Sequence, residues 1–236
     1  MKYILHKADS RGLAEHGWLT SRHTFSFADY YNADRVHFGK LRVLNDDIVQ
    51  PGRGFGMHPH DNMEIITIPI TGSLEHKDSI GTGSIIKTGD IQIMSAGTGV
   101  MHSEFNPSME ELVNFLQIWV FPEKMNIQPR YDQKTYDLEE RKNQFQDLIS
   151  PELDSKTLWI NQKAWFSMAK PDEGSALKYE LKDKNSGIYL FVIEGAFAID
   201  QLSLNRRDGL GLWDLSSVEI KATENSEILV MEIPLN

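Results

Sequence analysis

Short hydrophobic runs, each ended by Gly, Asp, Asn or Ser, dominate the pattern along the first half of the chain. They predict strands at residues 40–44, 64–70, 74–77, 84–87, 91–94 and 112–121. Glycine-bearing turns at 71–73 and 88–90 separate consecutive runs. Short strands at this spacing, with turns of this kind, favour an all-β sandwich or barrel.

The second half of the chain repeats this texture. The runs 189–193 and 196–199, joined by Glu194-Gly195, resemble the earlier pair at 65–70 and 73–76, and 210–215 and 227–234 follow in corresponding places. The repeat predicts a second β-domain of the same plan.

A charged stretch at residues 137–149 separates the two halves, and Pro151 ends it. Its scattered hydrophobic residues fit either a short helix or a solvated connector. We therefore expect a first domain at 1–130, a connector at 131–155 and a second domain at 156–236.

Composition narrows the class of protein. The 236 residues include 24 Lys and Arg against 34 Asp and Glu, a net charge of −10, and no Cys. The absence of Cys excludes disulfides, thiolate metal sites and Cys nucleophiles. The negative net charge argues against direct binding of nucleic acid. The first residues lack the apolar stretch of a signal peptide, and the longest apolar runs are strand-sized. We expect a cytoplasmic protein without membrane segments.

Two pairs of metal-ligand residues stand out. All eight histidines precede residue 103, so a histidine site can form only in the first domain. His58 and His60 lie two residues apart, as do His102 and Glu104, and residues i and i+2 share one face of a strand. Two such strands facing each other would offer three imidazoles and a carboxylate to a divalent ion and leave room for a substrate.

Glu64 competes with Glu104 as the carboxylate ligand. It lies four residues after His60, and so on the same face of a regular strand. Spacing leaves the choice open, and the carboxylate that does not bind would orient an imidazole. Elsewhere we expect His76 at the surface, His23 in a structural strand near the barrel, and Asp46-Asp47 in a turn.

These motifs resemble a known family. Residues 52–72 look like the first cupin motif and 89–106 like the second, although Ser95 replaces the usual proline and His102 comes two residues late. The segments that resemble the bacterial pirin family are 23–27, 41–47, 54–64, 74–79 and 95–104. The second half matches only in length and strand pattern.

The resemblance implies two tandem cupin barrels of the double-stranded β-helix, or jelly-roll, type. The second would be degenerate and without metal ligands. Carried onto this sequence, the pirin ligands are His58, His60, His102 and Glu104. Glu64 would then not bind the metal but orient one of the ligands. Several pirin relatives act as quercetin 2,3-dioxygenases, whereas others are described as transcriptional cofactors.

We therefore expect a metal-dependent dioxygenase that opens flavonols such as quercetin and releases carbon monoxide. The cofactor would be one divalent ion, Fe²⁺ before Ni, Cu, Mn or Zn, and the partners an aromatic enol and O2. Glu104 would serve as general base, while Phe55, Met57 and Phe105 would wall the substrate pocket or form core. The alternative is a non-enzymatic, metal- or redox-sensing regulatory or binding protein of the pirin type. We expect a monomer in either case.

Overall fold

A computed structural model describes residues 1–153 and 156–236; Asp154 and Ser155, at the end of the predicted connector, lie outside the described residues. The strands of the first half are β1 Lys2–His6, β2 Gly12–Glu15, β3 Leu19–His23, β4 Leu41–Val49, β5 Gly54–His60, β6 Glu64–Thr71, β7 Ser73–Asp78, β8 Gly83–Lys87, β9 Asp90–Ser95, β10 Val100–Phe105, β11 Val113–Val120 and β12 Arg130–Thr135. Those that follow are β13 Gln146–Ser150, β14 Leu158–Trp159, β15 Trp165–Ala169, β16 Ala176–Glu180, β17 Ser186–Glu194, β18 Phe197–Ile199, β19 Leu202–Leu204, β20 Gly209–Trp213, β21 Ser217–Ala222 and β22 Glu227–Pro234.

These strands form two barrels of one plan, which confirms the all-β, two-cupin expectation. In the first barrel a seven-stranded sheet, β12-β9-β6-β11-β4-β3-β2, is accompanied by a four-stranded sheet, β5-β10-β7-β8. In the second, the orders are β1-β20-β17-β22-β15-β13-β14 and β16-β21-β18-β19. Two 3-10 helices, Ala8–Ser10 and Leu138–Arg141, are the only helices in the described part of the chain. Neither could cross a membrane.

Most of the segment between the two barrels belongs to a sheet of one barrel or of the other. Within 131–153, β12 completes the first seven-stranded sheet, the second 3-10 helix takes four residues, and β13 belongs to the second sheet. At the other end of the chain, β1 pairs with β20 of the second barrel. The domain boundaries therefore remain a prediction, because β1, from the first predicted domain, and β13, from the predicted connector, both belong to a sheet of the second barrel.

The two seven-stranded sheets share a hydrophobic core because their strands bury both faces. Along β11, Leu116 and Ile118 face this shared core together with Phe166 and Met231 of the second barrel. The alternate residues of β11 face the interior of the first barrel, as strand geometry requires. This two-sided burial accounts for the nearly continuous hydrophobic runs in the sequence.

The interiors of the two barrels differ in chemistry. A large hydrophobic cluster fills the second barrel and includes Leu190, Val192 and Phe197. The first barrel holds only two small clusters, one around Phe115 and one around Ile65. The space between them is lined by polar side chains, so the first barrel has room for a functional site.

Asp46 and Asp47 do not form a turn; the prediction was wrong. Both lie inside β4, which pairs with β3 on one side and β11 on the other. Asp46 faces the domain interface and accepts a hydrogen bond from Asn114, while Asp47 faces the barrel interior and accepts one from Ser21. These tertiary contacts override the turn preference of Asn-Asp pairs.

Candidate metal centre

Three imidazoles meet on the inner face of the four-stranded sheet. His58 on β5 is directly opposite His102 on β10 in the antiparallel register, and His60 follows on the same face of β5. Their ring centroids are 4.7 Å (His58–His60), 4.5 Å (His58–His102) and 4.9 Å (His60–His102) apart. One ligand nitrogen of each lies within 4.8 Å of the others. We call His58, His60 and His102 the three-histidine cluster.

Glycine permits the close approach of β5 and β10 that brings these rings together. A Cβ atom on Gly54 would lie 2.2 Å from the Glu104 carbonyl oxygen and 2.5 Å from Phe105 Cα. Any side chain at residue 54 would therefore push β5 away from β10. The glycine-rich sequence before His58 thus has a packing role in placing the cluster.

A second group of ligand-type side chains shares His102. Ligand atoms of His76, His102 and Glu104 also lie within 4.8 Å of one another. His76 is fully buried, with its Nε2 3.0 Å from Asp78 Oδ2, so its predicted surface position was wrong. The alternation in β7, where Leu74 and His76 are both buried, is the sequence signal that could have placed it inside.

Hydrogen bonds fix the carboxylate of Glu104 inside the barrel. Thr67 Oγ1 donates to Oε1 at 3.1 Å, and Gln117 Nε2 donates to Oε2 at 2.7 Å. Burial raises the pKa of Glu104 to about 7, although both hydrogen bonds act in the opposite direction. The side chain is 2% exposed, so a nearby cation would compensate a buried charge.

Burial holds the imidazoles of His60 and His102 in the neutral form that binds metals. Burial, reinforced by the neighbouring imidazoles, lowers the pKa of His102 to about 2. Burial, together with His58, lowers the pKa of His60 to about 4. Both rings are therefore unprotonated at neutral pH, with a lone pair free for coordination.

The cluster passes a simple test of fit to a divalent ion. Buried His60 Nε2 and His102 Nδ1 have no hydrogen-bond partner among the described residues. His58 Nδ1 lies 2.8 Å from the Gly56 carbonyl oxygen, which it can reach only as a donor, so Nε2 carries the lone pair. Three imidazoles with unengaged nitrogens suit Fe, Ni, Cu, Mn or Zn.

A row of polar residues crosses the inside of the seven-stranded sheet beside Glu104. Successive strand registers pair His23 with Asn45, Asn45 with Gln117, Gln117 with Thr67, and Thr67 with Gln92. We call these five buried residues the polar row. Thr67 and Gln117, in the middle of the row, donate hydrogen bonds to Glu104. The sequence does not reveal this role, because the residues of the row are far apart along the chain.

The three-histidine cluster opens into a cavity of about 340 Å³. Trp18, Phe27, Phe55 and Trp119 contribute aromatic surface, with Trp18 and Phe55 packed edge to face at 5.2 Å. The lining also includes His23, so the strand predicted to be merely structural contributes to the candidate site.

Of the predicted pocket residues, only Phe55 lines this cavity. Met57 is 52% exposed and Phe105 also lies outside the lining, so neither contributes to this cavity. Each is adjacent in sequence to an inward-facing ligand candidate, and strand alternation turns it to the opposite face.

Glu64 belongs to neither ligand-type group among the described residues. Its Oε2 accepts hydrogen bonds from Ser95 Oγ at 2.8 Å and from the Asn161 backbone N–H at 3.1 Å. The carboxylate therefore connects the first barrel to the segment that enters the second. Glu104, on the inner face of β10, is the carboxylate that lies with histidines.

Comparison with known proteins identifies the family. The Pirin family model matches residues 6–120, and the model described as the quercetinase C-terminal cupin domain matches residues 148–233. The chain belongs to the pirin family. This pirin is 40% identical over 234 residues to the quercetin 2,3-dioxygenase of Escherichia coli strain K12, covering 98% of each chain. It is 36% identical over 225 residues to a pirin-like protein of Caulobacter vibrioides, covering 95% of this chain and 96% of that one.

A solved relative holds a metal. The crystal structure of the bacterial pirin YhhW from Escherichia coli, in complex with nickel(II), superposes with a TM-score of 0.93 at 38% identity, covering 99% of both chains. In the present pirin both groups of ligand-type residues fall inside the first family match, and the second match contains no histidine. The His and Glu cluster of the first barrel is thus a metal-binding type of site.

Proposed function

We propose that this pirin is a metal-dependent dioxygenase that opens flavonol-type aromatic enols. In the overall reaction one O2 is consumed, the central ring is cleaved, and one ring carbon leaves as carbon monoxide. The observation that carries the proposal is the three-histidine cluster opening into an aromatic-walled cavity. The name of the Escherichia coli relative, quercetin 2,3-dioxygenase, supports the same chemistry.

In this proposal His58, His60, His102 and Glu104 hold one divalent ion, with Fe²⁺ as the first metal to test. The ion would supply Lewis acidity, which lowers the pKa of an enol hydroxyl. Glu104 accepts the proton of that hydroxyl at a carboxylate oxygen. Thr67 and Gln117 keep the carboxylate oriented through the hydrogen bonds described above.

The cavity supplies orientation and exclusion of water. Two pairs of aromatic rings offer flat apolar surfaces to a planar substrate. They are Trp18 with Phe55, and Phe27 with Trp119, whose ring centroids lie 5.3 Å apart. Binding between such surfaces holds the reacting ring in place and removes solvent from it.

Aerobic turnover of quercetin tests the proposal. Protein without a histidine tag is loaded separately with Fe, Ni, Cu, Mn and Zn, and oxygen uptake and carbon monoxide release are measured together. We expect oxygen uptake and carbon monoxide release in a one-to-one ratio with at least one metal. His58→Ala and Glu104→Ala should each lose most of this activity.

His37→Ala is the matched control, because His37 is exposed and lies outside the cavity lining. It should retain wild-type rates. If the wild-type protein binds metal stoichiometrically but consumes no oxygen with any flavonol, the dioxygenase proposal is wrong. Unchanged rates in both His58→Ala and Glu104→Ala would reject the ligand assignments instead.

A further inference from the structure

The cavity beside the three-histidine cluster has a second polar wall with no role in the chemistry above. It comes from β3 and β4 of the seven-stranded sheet, through Ser21, His23, Asn45 and Asp47, which all line the cavity. The candidate ligands come from the other sheet. A ligand that fills the cavity would thus contact two different kinds of surface.

Two atoms of this wall are buried without a partner. Asn45 Oδ1 and His23 Nδ1 have no hydrogen-bond partner among the described residues, although the side chains are only 2% and 3% exposed. Leaving such atoms unpaired is costly, whereas a ligand that pairs with them recovers that cost. His23 and Asn45 are direct cross-strand neighbours, so both can reach the same part of a ligand.

The wall offers mainly acceptors. Asn45 Oδ1 is an acceptor only, and the carboxyl of Asp47 accepts a hydrogen bond from Ser21 Oγ while lining the same cavity. Acceptor atoms of this kind suit ligand hydroxyl groups, which donate. Aromatic surfaces flank the wall, since the His23 ring packs edge to face on Phe27 at 5.2 Å. The matching ligand group is a hydroxyl on an aromatic ring.

We propose that Asn45, His23 and Asp47 form a subsite that binds phenolic hydroxyl groups on a substrate ring other than the one that is cleaved. This deepens the proposed function and rests on it: the substrate class becomes a polyhydroxylated aromatic enol. An enol with the same fused rings but no other hydroxyls leaves the subsite unpaired and is a poor substrate.

Two flavonols of the same skeleton test the subsite. Quercetin carries several phenolic hydroxyls, and 3-hydroxyflavone carries only the enol hydroxyl. We expect wild-type kcat/KM to be at least about tenfold higher for quercetin, the factor that corresponds to one hydrogen bond. In Asn45→Leu the preference should fall to within about threefold of unity, because kcat/KM falls more with quercetin than with 3-hydroxyflavone.

Gln92→Leu is the matched control for this variant. Gln92 is buried in the same polar row and also has unpaired side-chain atoms, but it does not line the cavity. It should keep the wild-type preference. Asn45→Ala serves in place of Asn45→Leu where the leucine variant does not fold. Equal use of both flavonols by the wild type, or an equal loss with both in the Asn45 variant, would overturn the subsite.

A binding measurement separates failure of the subsite from failure of the dioxygenase proposal. Trp18 and Trp119 line the cavity, so quenching of their fluorescence reports flavonol binding without turnover. If metal-loaded protein consumes neither flavonol, the dioxygenase proposal fails and the two Kd values decide the subsite. Tighter binding of quercetin that is lost in Asn45→Leu supports it, and equal Kd values in the wild type refute it.

Discussion

At the scale of single residues, the candidate site is built from side chains whose usual behaviour is suppressed by burial. His102 and His60 stay neutral, and the carboxyl of Glu104 is held between two donors. Most of these residues are inaccessible to solvent, so their orientations are set by protein contacts. Small changes in those contacts should therefore appear as changes in metal affinity.

Gln117→Leu should weaken metal binding by about tenfold, because contacts behind a ligand typically contribute 10- to 100-fold to affinity. The variant removes the 2.7 Å hydrogen bond to Glu104 Oε2. Metal titration calorimetry of tag-free protein measures the effect. Gln92→Leu, a buried glutamine of the polar row without a contact to Glu104, should bind metal as the wild type does. Equal affinity in the two variants would show that Gln117 does not position the carboxylate.

At the scale of elements, the pairing of β5 with β10 decides whether the three-histidine cluster exists. The two strands place His58 opposite His102, and the register shifts between His102 and Glu104, so this part of the ladder is irregular. The absence of a side chain at Gly54 sets the spacing of the strands at their far end. Geometry at the cluster depends on that spacing.

Gly54→Ala should destabilise the protein by about 3 kcal/mol and sharply reduce metal binding, because its Cβ would meet backbone atoms that cannot rotate away. Thermal unfolding and metal content measure the two effects. Gly56→Ala on the same strand is the matched control, since a Cβ there meets nothing within 4 Å. Similar behaviour of the two variants would contradict the proposed spacing.

Much of the element structure could be predicted from the sequence. The nearly continuous hydrophobic run of β11 and the turn glycines identify strands, and the two i, i+2 pairs identify β5 and β10 as carriers of ligand-type residues. These features are local, since a strand shows its period in a few residues. Two-domain repetition is also visible because both halves share one order of strands and turns.

What the sequence could not predict depends on partners distant along the chain. Asp46 lies in a buried strand, where Arg11 and Arg207 from distant parts of the chain approach it. The polar row is likewise a property of strand registers. Asn45 and Gln117 become neighbours only when β4 and β11 pair.

At the scale of the whole molecule, charged and titratable groups are buried where the two barrels meet. Asp46 of the first barrel lies 3.4 Å from a guanidinium nitrogen of Arg11 and 3.4 Å from one of Arg207, which belongs to the second barrel. His6, on the strand that joins the second barrel, hydrogen-bonds to Tyr189 at 2.8 Å. Both features affect stability through the interface.

Asp46→Ala should cost about 3 kcal/mol of unfolding free energy, because two buried guanidinium groups lose their common counter-charge. Denaturant unfolding measures the loss. In Glu180→Ala, which removes an exposed ion pair with Lys178, stability should hardly change because solvent screens such pairs. A loss in Asp46→Ala as small as that of the control would mean that the interface charges are well solvated.

Acid should weaken the interface through His6. Burial, with a smaller contribution from the positive charge of Arg35, lowers the pKa of His6 from 6.5 to about 4. The unfolded chain therefore binds a proton more readily, so this contribution to stability is complete above pH 6.5 and is lost as the pH falls towards 4. The loss is up to about 3 kcal/mol.

In His6→Gln the unfolding free energy should fall less steeply than in the wild type between pH 6.5 and 4. Denaturant unfolding at a series of pH values measures the difference. The exposed His37→Gln variant should follow the wild-type curve. Parallel curves for His6→Gln and the wild type would exclude His6 as a source of acid sensitivity.

The pairing of Lys2–His6 with Gly209–Trp213 also constrains how the chain is made. The ribosome releases the first strand early, but its hydrogen-bonding partner is synthesised some two hundred residues later. This strand therefore lacks its hydrogen-bonding partner until most of the second barrel has been synthesised. Cleavage of the finished polypeptide between the barrels would consequently leave the rear one without the edge strand that the front fragment carries away.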